Sequence, residues 1–236
     1  FNQHKQLTDV ILLVPSVEQL RVESPAPTNV FSSRLPIGEL MQYRPDSSYE
    51  HRKLLTGVVT LAWPDRLAVQ NDSGSIVVFT KQSGGVKVGD EVDVLGFVKL
   101  GPVKPSLEDA VVVATRPGEP VAPAMTRASR IIEQSQECRL VTIQAELING
   151  LPLAGYNSIL LWDQPDTVIA SLPVGQGDFA SIKDGSLLSL TGVSLIRVNE
   201  RTQTPELELL LRSMEDVRVL AEPPPANAPS KLVIVE

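Results

Sequence analysis

The sequence has few of the side chains on which metal centres and many enzymes depend. Its 236 residues include one cysteine, Cys138, and two histidines, His4 and His51. A single cysteine excludes an internal disulfide bond and a cysteine-based metal cluster. The two histidines lie in no metal-binding spacing. We therefore predict a protein without a metal, a cofactor or a catalytic centre, in which Cys138 is a buried thiol that acts as a small hydrophobic residue.

Long apolar runs, aromatic residues and net positive charge are also scarce. No stretch approaches the roughly 18 consecutive apolar residues of a membrane-spanning helix. Aromatic residues make up 4% of the chain, and the formal net charge is −7. Because a phosphate backbone attracts basic surfaces, this charge argues against nucleic acid as a partner. The chain begins at Phe1 without a signal peptide, so we expect a piece of a longer protein, and any membrane contact would come through another segment.

Residues 54–98 carry the clearest structural pattern in the chain. Apolar and β-branched residues alternate over short runs that turn sequences separate, which is typical of β-strands. The runs are 54–60, 67–70, 75–80 and 91–98, with a fifth at 109–115. Gly57 and Gly96 lie inside two of them, and a glycine within a strand marks a bulge or a sharp bend. Bent strands in this number predict a Greek-key barrel of the oligonucleotide/oligosaccharide-binding (OB) type.

A second, looser copy of this pattern follows. Residues 159–163 correspond in order and type to residues 67–71, and Gly192 takes the place of Gly96. Two copies that share strand order and bend positions indicate an internal repeat. The predicted fold class is therefore mainly β, with tandem five-stranded OB-like Greek-key barrels and short joining helices.

The repeat divides the chain into six segments. They are the closing strands of a truncated preceding module (1–24), a proline-rich joint with a short helix at 37–43 (25–52), the first barrel (53–116), a joint with a helix at 126–134 (117–138), the second barrel (139–222), and a proline-rich tail with a short strand at 231–236 (223–236).

The N-terminal segment matches the end of the second copy. Residues 8–14 predict an apolar strand and residues 16–23 a short extended piece, and residues 16–22 correspond one for one to residues 213–219. We interpret residues 1–24 as the closing part of a module that begins outside this sequence. A strand with unpaired backbone groups can pair with another chain, so residues 8–14 predict addition to a neighbouring sheet or a homodimer.

Four motifs of the chain have a counterpart in a known family. They are residues 54–60, residues 67–71 with 73–76, residues 88–97 and residues 105–107. Together they resemble the extracytoplasmic sensor regions of certain bacterial membrane signalling proteins. In that family, OB-like modules repeat in tandem ahead of a transmembrane helix and a cytoplasmic histidine kinase or diguanylate cyclase. The resemblance implies a periplasmic sensing module of a larger signalling receptor, covers the first barrel better than the second, and implies no ligand residue.

Two short motifs match cofactor or catalytic patterns but are better explained as turns. Residues 175–180 match the dinucleotide fingerprint G-x-G-x-x-A, yet they precede a predicted turn and strand where the fingerprint needs a helix. Residues 72–74 resemble the Asp-Ser-Gly triplet of aspartic proteases, whose mechanism needs a second carboxylate nearby. The corresponding place in the second copy, residues 164–167, lacks the glycine.

The candidate ligand contacts are the aromatic and basic residues near strands two and three of each copy. They are Trp63, Arg66 and Phe79 in the first copy, and Tyr156 and Trp162 in the second. A single-stranded nucleic acid needs a basic groove and aromatic platforms on this face, and these are sparse here. We predict a non-enzymatic extracytoplasmic module that senses a small ligand or contacts a protein. The alternatives are a single-stranded nucleic-acid or oligosaccharide binding module, and a structural spacer.

Overall fold

A computed structural model describes residues 13–23, 34–40, 51–81, 83–101, 103–198 and 204–223. Most of the strand expected at 8–14, the end of the helix expected at 37–43, and the strand expected at 231–236 lie outside these residues. Within the described residues, no helix is long and apolar enough to cross a membrane.

The first half of the chain forms a closed five-stranded barrel, as the sequence predicts. Its strands are β1 (Lys53–Trp63), β2 (Arg66–Asn71), β3 (Gly74–Phe79), β4 (Asp90–Lys99) and β5 (Ser106–Pro117). They close in the order β1-β2-β3-β5-β4, with β3 and β5 parallel and the other pairs antiparallel. We call this the first barrel.

The predicted bulge at a glycine is confirmed at Gly96 and is displaced from Gly57. The register of β4 against β5 shifts between Leu95 and Phe97, at Gly96. The bulge in β1 instead lies between Val59 and Leu61, beyond Gly57. Gly57 has a packing role, because a Cβ there would lie 2.8 Å from Val69 Cγ1.

The second half of the chain forms a larger sheet, which we call the second β unit. Its elements are β6 (Ala124–Met125), α1 (Ala128–Glu133), β7 (Leu140–Leu153), β8 (Tyr156–Asp163), β9 (Asp166–Pro173), β10 (Leu187–Val198), β11 (Pro205–Leu210) and β12 (Val217–Ala221). The strand order is β12-β10-β11-β9-β8-β7-β6, and β10 also pairs with β7. Because of this pairing, β7, β8, β9, β11 and β10 form a ring of paired strands. In this ring β9 and β11 are parallel, as β3 and β5 are in the first barrel.

Three short elements differ from the sequence predictions. The helix expected at 126–134 is confined to α1, and the helix expected at 37–43 begins as a single 3₁₀ turn, Ile37–Glu39. The piece expected to be extended at 16–23 contains a 3₁₀ turn, Val17–Gln19. Short turns of this kind have too few residues for the periodicity on which the predictions rest.

Each β unit has its own apolar core, and a third apolar cluster joins the two. In that cluster Leu61, Trp63 and Ala68 of the first barrel pack with three aliphatic side chains of the second β unit, Leu140, Val193 and Leu210. The outer side of β1 and β2 is therefore covered by the second β unit.

Candidate functional site

Trp63 lies at the contact between the two β units. Its side chain is 2% exposed, and its indole N–H donates a hydrogen bond to the carbonyl oxygen of Leu211 at 3.0 Å. The rings of Trp63 and Tyr156 are 5.3 Å apart between centroids. Gln70 Oε1 accepts a hydrogen bond from the backbone N–H of Leu140 at 3.0 Å. The candidate ligand residue Trp63 is thus enclosed by protein.

Arg66 links the aromatic residues at the rim of this contact. Its guanidinium carbon lies 5.6 Å from the ring centroid of Trp63 and 5.2 Å from that of Phe79. The hydrogen-bonded carboxylate of Asp65, 2.7 Å from Arg66, raises the pKa of Arg66, and the arginine in turn lowers the pKa of Asp65. A longer bond of 3.4 Å runs from Arg66 to the hydroxyl of Tyr156. Four of the five candidate ligand residues therefore meet, and they meet where the β units pack.

A polar cluster completes the contact on another side. Lys104 Nζ and Ser75 Oγ both donate to the carbonyl oxygen of Glu137, at 2.7 Å and 3.0 Å. Burial raises the pKa of the Glu137 carboxyl and lowers the pKa of Lys104. Burial, with the nearby Glu137 carboxyl, also raises the pKa of the Cys138 thiol to about 12. The prediction that Cys138 is a buried thiol is confirmed.

The fifth candidate, Trp162, lies elsewhere, on the outer side of β7, β8 and β9. Its side chain is 45% exposed, and the aliphatic Ile148 beside it on β7 is exposed as well. Trp162 of the second β unit corresponds to Gln70 of the first barrel. Trp162 pairs with Glu146 and Gln70 pairs with Val58, and each pair lies just before a bulge in the first strand of its unit. In the first barrel the matching face is buried by the second β unit. In the second β unit it is open around Trp162 and Thr167, whereas Ser158 and Ser171, farther along the same face, are buried.

A surface cavity of about 550 Å³ adjoins this face. Its lining is Met125, Thr126, Arg127, Arg130, Gln144, Asp163 and Leu187. Glu146 pairs with Leu187 on one side and with Trp162 on the other, so the cavity and Trp162 share one surface. The carboxylate of Asp163 is engaged by the backbone N–H of Ala128 at 2.7 Å.

Arg127 and Arg130 are the residues of this surface that the sequence analysis missed. Both are exposed, and neither side chain has a hydrogen bond or ion pair with any other residue that the structure describes. Two unpaired guanidinium groups on one cavity wall can bind an anion such as phosphate or carboxylate. No group of three or more potential metal ligands occurs among the described residues.

No family model and no curated protein matches this sequence. Among solved structures, it is similar to a putative aspartyl-tRNA synthetase from Leishmania major Friedlin, with 14% identity and a TM-score of 0.34, over 44% of this chain and 22% of that chain. A murine DNA binding protein bound with ds DNA has 11% identity and a TM-score of 0.36, over 73% and 98%. A Replication Protein A heterotrimer bound to ssDNA has 12% identity and a TM-score of 0.32, over 78% and 52%. The chain thus spans less than a quarter of the synthetase.

These comparisons correct one expectation. From the sequence we expected nucleic acid to be an unlikely partner, and that was wrong, because similar structures include proteins solved with double-stranded and single-stranded DNA. The error came from the net charge of the whole chain, which does not describe a local surface. What those proteins bind remains a property of those proteins.

Proposed function

We propose that this chain is a non-enzymatic binding module made of tandem five-stranded OB-like barrels. Three features support the tandem arrangement. The ring β7-β8-β9-β11-β10 repeats the strand order of the first barrel, the third and fifth strands of each ring are parallel, and the first strand of each carries a bulge at the matching place.

The ligand face of this module is the outer side of β7, β8 and β9. One observation carries this proposal: the matching face of the first barrel is buried against the second β unit, whereas here Trp162 is exposed. OB folds bind oligonucleotides and oligosaccharides on the face of strands two and three. In this chain the first barrel uses that face for packing, which leaves the second β unit to bind.

The ligand that best fits the whole surface is a single-stranded nucleic acid. An exposed tryptophan is a platform on which a base can stack, and arginines bind phosphate. Trp162 on β8 and the cavity-lining Leu187 on β10 are separated by one strand, β7. They are therefore two strand spacings apart across the sheet, about 10 Å. A base on Trp162 and a phosphate at Arg127 and Arg130 can therefore be bound together.

Titration with a single-stranded oligonucleotide of about 15 nucleotides tests this proposal. Replacing Trp162 by alanine removes the stacking platform, so Kd rises about tenfold or more. The double variant Arg127→Gln with Arg130→Gln removes two phosphate contacts and makes the slope of log K against log salt concentration shallower by about 1.4. A matched double variant on the first barrel, Lys81→Gln with Lys87→Gln, leaves the slope unchanged. Absence of binding at low salt, or equal binding by all variants, contradicts the proposal.

A second candidate follows from the chemistry of the strands themselves. β7, β8 and β9 contain no lysine or arginine, and Ile148, Leu160 and Ile169 place aliphatic surface beside Trp162. Such a face also fits a protein or a small apolar ligand, as an extracytoplasmic sensor region would require. This candidate rests on the resemblance to bacterial signalling receptors and on this apolar surface.

Photo-crosslinking from position 162 in the native cells separates the two candidates. A crosslinker at Val113, an exposed residue of β5, is the control. An adduct at 162 that nuclease removes supports nucleic acid, and one that protease removes supports the protein partner. Adducts of equal yield at both positions, or at neither, argue against a binding face on the second β unit.

A further inference from the structure

Residues 13–23 expose an unusual number of apolar side chains. Leu13 is 90% exposed, Val17 77% and Leu20 60%. Single exposed apolar residues are ordinary, but a cluster within one short segment marks a contact surface. This segment contains no named strand and has a single 3₁₀ turn, Val17–Gln19.

The same local structure occurs once more, at the end of the second β unit. There the 3₁₀ turn is Met214–Asp216, and each turn follows an extended serine. The φ and ψ of Ser16 are −155° and 157°, and those of Ser213 are −163° and 177°. The match in sequence between residues 16–22 and 213–219 thus extends to backbone conformation.

In the second β unit this segment runs from the end of β11 through the 3₁₀ turn into β12. Leu210 and Leu211 are buried, and Met214 and Val217 pack against the apolar core. After the turn, β12 pairs antiparallel with the first part of β10. The residues that make these contacts correspond to the exposed Leu13, Val14, Val17 and Leu20.

We propose that residues 13–23 are the closing segment of a third OB-like barrel. The other strands of this third barrel belong to neither the first barrel nor the second β unit, and come from another part of the same polypeptide. Both described units are closed by their own chain, the first by the long β5 and the second by β11 and β12. The acceptor must have an unpaired strand edge, like the edge of β10 that pairs with β12. It must also have exposed apolar core residues on which Leu13, Val14, Val17 and Leu20 can pack. The contact is strand addition, in which main-chain hydrogen bonds give affinity and alternate side chains fill pockets.

The first experiment supplies an acceptor of known sequence to residues 13–236. Residues 139–209 are fused directly before Leu13, so that they meet residues 13–23 as they natively meet residues 210–220. We expect hydrogen–deuterium exchange at the amides of residues 17–22 to slow about 100-fold relative to the unextended chain. A fusion that carries its own closing segment, residues 139–222 placed before Leu13, is the positive control. Unchanged exchange in the first fusion beside a folded control overturns the proposal.

The second experiment moves the segment within the chain and needs no added unit. Residues 210–220 are replaced by residues 13–23, and we expect Tm to fall by less than about 10 °C. The same residues in scrambled order remove the cooperative transition of the second β unit. Val17→Asp then lowers Tm in the transplanted position and leaves it unchanged in the native one. A transplanted segment that behaves like the scrambled one, or a Val17→Asp change that is harmless in both positions, contradicts the proposal.

Discussion

Trp63 and Leu211 lie 148 residues apart in the chain and are joined by a hydrogen bond of 3.0 Å from the indole N–H to the carbonyl oxygen. The tryptophan belongs to the first barrel and the leucine follows the last ring strand of the second β unit. This bond and the aliphatic cluster around it hold the first barrel against the second β unit. The packing of the two units buries the outer side of β1 and β2, where the first barrel could otherwise bind a ligand.

Replacing Trp63 by phenylalanine should destabilise the protein. The ring is kept in part, but the Leu211 carbonyl loses its donor in a buried place, which costs about 1–2 kcal/mol. Urea unfolding followed by circular dichroism measures the change. Trp162→Phe is the control, because the exposed Trp162 makes no such bond, and its effect should stay within about 0.5 kcal/mol. Equal effects of the two changes would show that the contact between the units adds no stability.

The two tryptophans should differ sharply in their access to solvent. In the Trp63→Phe chain the emission of Trp162 reports the open face, and in the Trp162→Phe chain the emission of Trp63 reports the buried contact. We expect acrylamide to quench Trp162 several-fold more efficiently than Trp63. Similar Stern–Volmer constants would mean that the face of β7, β8 and β9 is covered in solution.

Gly96→Ala should destabilise the first barrel by about 1–3 kcal/mol. An added Cβ would lie 2.9 Å from the carbonyl oxygen of Glu108 and 2.9 Å from Cβ of Ala110. The strain outweighs the gain of about 0.4–1 kcal/mol that a Gly→Ala change brings through the unfolded state. Gly84→Ala is the control, since no atom lies within 4 Å of its added Cβ. A stability ranking with the Gly84 variant below the Gly96 variant would refute this account of the bend.

Glu137→Gln should make the protein more stable at neutral pH. Burial raises the folded-state pKa of Glu137 above its ordinary 4.5, so the folded state binds this proton more tightly than the unfolded state. The stabilisation is complete below pH 4.5 and is lost as the pH rises through the raised pKa. Urea unfolding at about pH 4 and about pH 8 should show a larger fall for the natural chain than for the glutamine variant. Parallel pH profiles would mean that the Glu137 carboxyl is solvated.

The strands of the first barrel could be predicted because local pattern determines them. Residues 54–60, 67–70 and 91–98 fall within β1, β2 and β4, and the run 75–80 overlaps β3 up to Phe79, because alternation and turn residues are visible in the sequence. The fifth strand begins earlier than residue 109, at Ser106, because β5 pairs there with β3, a contact between distant segments. The local residue pattern does not show which distant segments pair.

The candidate site could be predicted less well, because its residues are sorted by long-range packing. Trp63 and Trp162 look alike in sequence, and only the docking of the second β unit buries one and leaves the other open. Arg127 and Arg130 were missed although a signal existed. They lie three apart in the predicted helix 126–134, a spacing at which two side chains are neighbours on a helix surface.

The ligand face on the second β unit can be tested by hydrogen–deuterium exchange of the full chain with and without a single-stranded oligonucleotide. We expect slower exchange in β7, β8, β9 and α1, with no change in the strands of the first barrel. Protection spread over the first barrel, or none anywhere at low salt, would contradict a ligand face on the second β unit.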